Sequence, residues 1–364
     1  MKKNLKQIDS KKIKKLFIDL ISIDSPSGEE KKVRLFIEKE LKKLNLKTSV
    51  DSFGNLWSKI PGKGEPILLS AHMDTVEPGR GIRPIVKGDL ITSDGRTILG
   101  TDNKAGITEI LVSLEYLIKN KLSHRPIELI FTREEEIGSL GVKNLDFNKI
   151  KSKEALVLDR SGEPQTVVIA SPFFAKMKIE ILGKSAHAAS PEMGINAIKI
   201  AADAISKIQL GRIDKETTVN IGLISGGDAS NVIPSKVEVF AECRSHNFNK
   251  LKTQTKLIEK SFIDACKKPG GKINFFHHLA HVGYSHSKKD KLINKILKAW
   301  QQMNITPIKE ITAAASDAND FNEHGIKAVN IGYAGRMPHS CSENIKISEM
   351  KLVCEFLINF LTSK

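Results

Sequence analysis

His72 and Asp74 stand two residues apart where the apolar run PILLSAHMDTV (66–76) ends. In an extended strand that spacing points both side chains to one face. An imidazole and a carboxylate so placed could begin a divalent-metal site, although such a pair alone is more often a polar turn. Three successive carboxylates, Glu134, Glu135 and Glu136, directly follow the apolar run IELIFT (127–132). Like charges held close raise one another's pKa and are unfavourable without a cation, which favours a site over a solvated loop. Asp159 ends the apolar run ALVLD, and His339 follows VNIGYAG within GRMPHSCSE. Asp102 lies in ILGTDNKAGI, where Asn103 or Asp102 is a candidate cap of a helix opening at Ala105-Gly106, and capping fits Asp102 about as well as metal ligation does.

Together these are two histidines and several carboxylates, most of them at strand ends. Imidazole and carboxylate without clustered thiolates suit zinc, with cobalt or manganese as alternatives. Two ions about 3.5 Å apart, sharing a bridging carboxylate, suit hydrolysis: they activate water and polarise a carbonyl. Cys341, two residues after His339, reads as a buried or incidental thiol before it reads as a ligand. Spacing alone does not choose among the three glutamates.

The elements that must hold these residues follow from periodicity. KKIKKLFIDLISI and VRLFIEKELKKL carry apolar residues at helical spacing on either side of the SPSGEE break. ILVSLEYLI (110–118) is helical, and the buried-strand candidates are 66–76, 127–132 and 155–159. Buried strands alternating with helices predict an α/β layer with a mainly parallel sheet. Near residue 173 the texture changes: FFAKMKIEILG alternates with period two. A helix (NAIKIAADAISKIQ), two strands (TTVNIGLISG, KVEVFAECRS), a helix (KLKTQTKLIEKSFIDACKK) and a strand (INFFHHLAHV) complete a βαββαβ order. That order predicts an inserted α+β domain of ferredoxin-like kind. After about residue 286 the helix–strand alternation returns. The expected organisation is a discontinuous first domain, 1–173 and 286–364, interrupted by a second, 174–285.

Composition removes several function classes. The chain has 364 residues, and 57 Lys+Arg against 42 Asp+Glu give a formal charge of +15. The lysines are spread along the chain and aromatics are only 5%, so the pattern of a nucleic-acid binder is missing. No window reaches the roughly 18 apolar residues of a membrane span. MKKNLKQIDSKKIKKLF lacks the apolar core of a secretory signal. Four scattered cysteines without a CxxC pair fit a reducing compartment. The expected location is the cytoplasm.

The motifs SAHMDTV, GTDNKAG, TREEEIG, GKSAHAASPEMGINA, SDANDFN and PHS, in this order over nearly the whole chain, resemble those of the aminoacylase/glutamate-carboxypeptidase group of di-zinc peptidases. Within that group the chain is most similar to peptidase T-like tripeptide aminopeptidases. The resemblance implies a zinc-peptidase catalytic domain with an inserted lid and dimerisation domain, two Zn2+ per subunit, and a short peptide as substrate. It implies that His72 and Asp159 hold one ion, Glu136 and His339 the other, and Asp102 bridges them. In the T-x-x-E-E-x-G register Glu135 becomes the general base, and Asp74 orients His72. His187 would reach the active site of the partner in a homodimer and donate to the substrate carbonyl. Asn231, Arg244, Ser316 and Asn319 match substrate-side positions. Deacylation of N-acyl amino acids, dipeptidase or carboxypeptidase action would use the same site, and a silent peptide-binding relative is the remaining reading. Two departures stand out: Asn103 where the group usually has Asp, often after a cis peptide bond, and Ala313-Ala314-Ala315 where glycines are usual.

Overall fold

The computed structural model describes residues 8–287 and 289–363; the first seven residues of the N-terminal stretch read above for a signal lie outside them. The chain forms two compact units. The first runs to Ile169 and resumes over His286–Ile311 and Ser316–Lys364; the second comprises Ala170–Ser285 and the short segment Thr312–Ala315.

In the first unit, four neighbouring strands run parallel in the order Ile127–Thr132, Ile67–His72, Glu154–Arg160, Lys327–Gly332. Ile67–His72 and Ile127–Thr132 are buried at every residue, as expected of strands covered on both faces. The antiparallel strands Leu56–Ile60 and Thr48–Val50 extend one side. On one face the helix Thr101–Lys119 packs against Ser10–Ile21 and Ile347–Thr362. The short helix Asp317–Glu323 lies against Lys327–Gly332 and Glu154–Arg160. Two of the helices begin on a side-chain cap that the sequence supplies. Asp9 accepts from Lys11 N at one start, and Asp290 accepts from Leu292 N at the start of Lys291–Gln302. The C-terminal helix, which the periodicity reading did not single out, stacks Phe356 on Trp300 with ring centroids 4.4 Å apart.

The second unit is a βαββαβ layer. Its antiparallel sheet has the order Thr217–Gly226, Lys236–Ser245, Phe173–Leu182, Lys272–His281, with Gly211–Arg212 at the edge. The alternation seen in FFAKMKIEIL has a direct cause: Ala175, Met177, Ile179 and Ile181 join the core formed with helices Ala197–Ile205 and Phe248–Lys267. Both helices start on an asparagine: Asn196 accepts from Lys199 N, and Asn247 from Asn249 N and Lys250 N. This is the ferredoxin-like arrangement expected from the element order.

Buried in the helix Thr101–Lys119 is a carboxyl group that packing does not satisfy. Glu109 is fully buried, and among the described residues neither carboxylate oxygen has a hydrogen-bond partner. Burial raises its pKa well above 4.5. The folded protein therefore holds this proton while the unfolded chain releases it above pH 4.5, so the stability contribution is full below that value and falls as pH rises. The loss is about 1.4 kcal/mol per pH unit, until the raised native value is reached. Glu109→Gln is expected to unfold at higher urea concentration than the parent at pH 8 and at a matching concentration at pH 4. Parallel urea midpoints at both pH values would contradict this.

Candidate metal centre

The parallel strands bring their C-terminal ends to one edge, where open α/β sheets place their sites. His72 ends its strand directly opposite Thr132, so the loop Arg133–Glu136 begins beside it. Asp159 lies where the pairing of Glu154–Arg160 with Lys327–Gly332 slips between Ile331 and Gly332. There the side chain of Asn330 replaces the ladder, accepting from Asp159 N at 3.0 Å and donating to Asp159 O at 3.2 Å. His339 projects from a loop beyond the Lys327–Gly332 strand, in left-handed backbone at φ 60°.

Asp102 occupies the centre. Its Oδ1 lies 3.0 Å from His72 Nε2, and its Oδ2 lies 3.6 Å from His339 Nε2. Asp159 Oδ1 is 3.4 Å from His72 Nε2, and Glu136 Oε1 is 3.0 Å from His339 Nε2. One donor atom each from His72, Asp102 and Glu136 falls within a common 4.8 Å, as does one each from His72, Glu135 and Asp159. Asp102 and Asn103 interrupt the helical backbone and are joined by a cis peptide bond, as the resemblance implied. Asn103 Nδ2 donates to Asp159 Oδ1 at 3.2 Å, so the residue that departs from the usual Asp still faces the cluster.

Asp74 fixes two parts of the centre at once. Its carbonyl and carboxylate oxygens lie 3.0 and 3.2 Å from His72 Nδ1, which leaves Nε2 facing Asp102 and Asp159. Its carboxylate also accepts from the backbone N–H groups of Glu135 and Glu136 at 3.0 and 3.1 Å, and from the Ser27 hydroxyl. Burial opposes ionisation of Asp74, but His72, Ser27 and the Glu135 N–H together hold its pKa below the ordinary value.

The three glutamates, alike in sequence, are separated by backbone conformation. Glu134 takes a left-handed turn at φ 53° and pairs with Arg133 at 2.9 Å. Arg133 is itself held by the buried Glu30 and the carbonyls of Phe53 and Gly28. Glu135 and Glu136 then face the centre, Glu136 toward His339 and Glu135 with its Oε1 3.2 Å from the donating Ser139 hydroxyl.

The electrostatics describe a cluster short of positive charge. Burial, reinforced by Asp159, raises Glu135 well above 4.5. Burial and the neighbouring Asp102 raise Asp159 to about 8 against the pull of His72, and burial also raises Glu136. Hydrogen bonds to Asp102 and Glu136 raise His339 to about 10. Burial pulls His72 down, yet Asp159, Asp102 and Asp74 carry it well above 6.5. Those two imidazoles outweigh burial at Asp102 and hold it far below its ordinary value. Carboxyl groups that retain protons around two histidines are a donor set suited to divalent cations, which would supply the missing charge. Two groups of donors that share His72, with Asp102 facing both histidines, fit a dinuclear metal site.

Several participants were not visible as such in the sequence. Asp317 is buried, accepts from the Thr132 hydroxyl at 2.5 Å and leaves Oδ1 without a hydrogen-bond partner among the described residues; burial raises it to about 7. Glu343 collects donors from the Asp102 loop, and Asn330 supports Asp159. Ser316 and Asn319, expected on the substrate side, form the capping box of helix Asp317–Glu323. Asn319 Oδ1 accepts from Ser316 N, and Ser316 Oγ accepts from Ala318 N and Asn330 Nδ2. Both are buried, and these hydrogen bonds lie inside the fold. Cys341 is an exposed free thiol and joins no metal-binding group among the described residues.

The remaining expected residues belong to the second unit. His187 and Asn231 are exposed on two paired loops: Ala186–His187 pairs with Val232–Ile233, and Ala188 N donates to Asn231 O. His187 Nδ1 accepts from Ala189 N at 3.0 Å, so the neutral ring carries its proton on Nε2, ready to donate. Arg244 lies 4.1 Å above the Phe174 ring, pairs with Glu242 at 3.0 Å and donates to Ala313 O.

Comparison with known proteins agrees with this geometry. Residues 170–269 match the model of a peptidase dimerisation domain, and residues 55–204 match that of Peptidase family M28. The chain is 32% identical over 362 residues to the uncharacterised protein YqjE of Bacillus subtilis, spanning 96% of this chain and 98% of that one. Among solved structures it is similar to aminopeptidase PepT from Bacillus cereus, at 33% identity and a TM-score of 0.88, covering 98% of both chains. A tripeptidase from Staphylococcus aureus superposes with a TM-score of 0.93 at 29% identity, covering 98% of this chain and 99% of that one. With its matching dimerisation domain, its likeness to PepT over almost the whole length and a cluster of histidine and carboxylate donors, the chain belongs to the peptidase T-like M20 metallopeptidases.

Proposed function

We propose that the protein is a dinuclear zinc aminopeptidase that removes the N-terminal residue of short peptides, tripeptides foremost, with cobalt or manganese able to replace zinc. Asp102 carries this assignment, because each of its carboxylate oxygens faces a different histidine. His72 and Asp159 would hold one ion, Glu136 and His339 the other, with Asp102 between them. When bound, such a pair supplies water activation at neutral pH and polarisation of the scissile carbonyl.

The chain's own groups do the rest. Glu135 takes a proton from the attacking water as its oxygen bonds to the carbonyl carbon. It returns that proton to the amine nitrogen as the C–N bond breaks. Asp74 keeps His72 in the tautomer whose Nε2 faces the centre, and holds the turn that presents Glu135 and Glu136. In a homodimer assembled through the inserted unit, His187 of one chain donates its Nε2–H to the carbonyl oxygen in the other chain's site. Asn231 and Arg244 hold the substrate, with Arg244 pre-oriented by Glu242 and Phe174. A cytoplasmic location is supported by four cysteines that are all unpaired, one of them exposed. Among the described residues no helix is long and apolar enough to cross a membrane.

A free α-amino group is the mark of an aminopeptidase substrate. The zinc-loaded protein is expected to release the first residue of a free tripeptide at least 100-fold faster, in kcat/KM, than that of its N-acetylated form. Amino-acid analysis of the products checks this. Preference for the blocked peptide assigns the site to deacylation, and release of the last residue assigns it to carboxypeptidase action.

A further inference from the structure

Glu343 sits four residues after His339 on the same loop, and its side chain is 1% exposed. Four donors from four successive residues converge on its carboxylate. Leu99 N and Gly100 N each donate to Oε2 at 2.7 Å, while the Thr101 hydroxyl and Asp102 N, the latter at 3.2 Å, donate to Oε1. Every backbone N–H from Leu99 to Asp102, except that of Thr101, is thus aimed at one carboxylate on the His339 loop. The loop itself is closed at its base. Arg336 N donates to Asn344 O at 2.8 Å, Asn344 N to Arg336 O at 3.1 Å, and Glu343 N to Ser340 O at 3.1 Å. The Ser93 hydroxyl also donates to Cys341 O at 3.3 Å. His339 rides on this closed loop in left-handed backbone, with Nε2 3.6 Å from Asp102 Oδ2.

Resting on the two-ion assignment above, we propose that Glu343 is a positioning residue for one of the two metal positions, that of Asp102, Glu136 and His339. The carboxylate locks the loop of Asp102 to the loop of His339 and so sets the distance between their donor atoms. The other position shares Asp102 but takes its remaining donors from His72 and Asp159 at the ends of sheet strands, held by Asp74 and Asn330 and not by Glu343. Glu343 touches neither ion. It acts through the backbone of Asp102 and the path of the loop that bears His339. A buried carboxylate accepting four hydrogen bonds supports this geometry better than an amide, whose NH2 would oppose two of the N–H donors.

The test is metal content and affinity in the full chain, read by elemental analysis after dialysis against graded zinc buffers. The parent is expected to bind two zinc ions. Glu343→Gln is expected to keep one ion with affinity within about threefold of the parent and to bind the other about 10–100-fold more weakly, the usual effect of losing a ligand's supporting partner. Thr101→Val, which removes a single donor to the same carboxylate, is expected to weaken the same ion by a smaller factor. It also answers the question if Glu343→Gln fails to fold. Thermal unfolding of all three proteins in excess chelator separates a general loss of structure from the selective effect. Equal weakening of both ions, or no weakening in a folded variant, overturns the role of Glu343. A parent that binds fewer than two ions overturns the two-ion assignment itself.

Discussion

Glu135→Gln is expected to lower kcat by about 10²- to 10⁴-fold while leaving the metal content of the protein unchanged. The substitution keeps the shape of the side chain and an oxygen that can accept from the Ser139 hydroxyl, and the backbone N–H of residue 135 still donates to Asp74. It removes only the ability to take up a proton and give it back. Glu136 beside it faces His339 at 3.0 Å, so Glu136→Gln should lose metal as well as turnover. Kinetics on a tripeptide together with zinc analysis distinguish the two variants. A Glu135→Gln protein that turns over normally, or one that loses a metal ion, contradicts the division of labour between these neighbours.

Asp102→Ala is expected to have the larger effect on metal: both ions are lost, and activity falls to background. Each carboxylate oxygen of Asp102 serves one histidine, so truncation removes a donor from both positions at once. His339→Ala removes a donor from only one and should leave the ion near His72 and Asp159 in place. Removing a buried charge partner also costs about 3–5 kcal/mol where the remaining charges are left unmatched. Asp102→Ala should therefore unfold at a clearly lower temperature than the zinc-loaded parent. Elemental analysis of the two variants, with calorimetric melting, checks the pattern; matching metal loss in both would contradict a bridging role.

Much of this arrangement was legible in the sequence because it rests on long, regular patterns. IELIFT and ILLSAH read as buried strands because both of their faces are covered, and the βαββαβ order of the second unit followed from alternation in FFAKMKIEIL and helical spacing after it. The ligand candidates were visible as polar residues at strand ends. What was not legible depends on tertiary geometry. The strands Ile85–Lys87, Leu90–Thr92 and Asn344–Lys346 form a small sheet, but three residues are too few to show a period. Glu134 differs from Glu135 and Glu136 only through a left-handed backbone and a paired Arg133. The sequence offers Ser316 and Asn319 as substrate groups, and a Ser with an Asn three residues on also carries the signal of a helix start. Glu343 sits in an irregular loop, where no periodicity marks a residue as buried. Only the fold brings it to the Asp102 loop, more than two hundred residues earlier in the chain.

Anomalous diffraction at the zinc edge, from crystals of the zinc-loaded protein, tests the shared-aspartate centre most directly. Two peaks per chain are expected, one on each side of the Asp102 carboxylate, the first beside His72 and Asp159 and the second beside Glu136 and His339. A single peak, or peaks that leave Asp102 without contact to both, would contradict the centre described here.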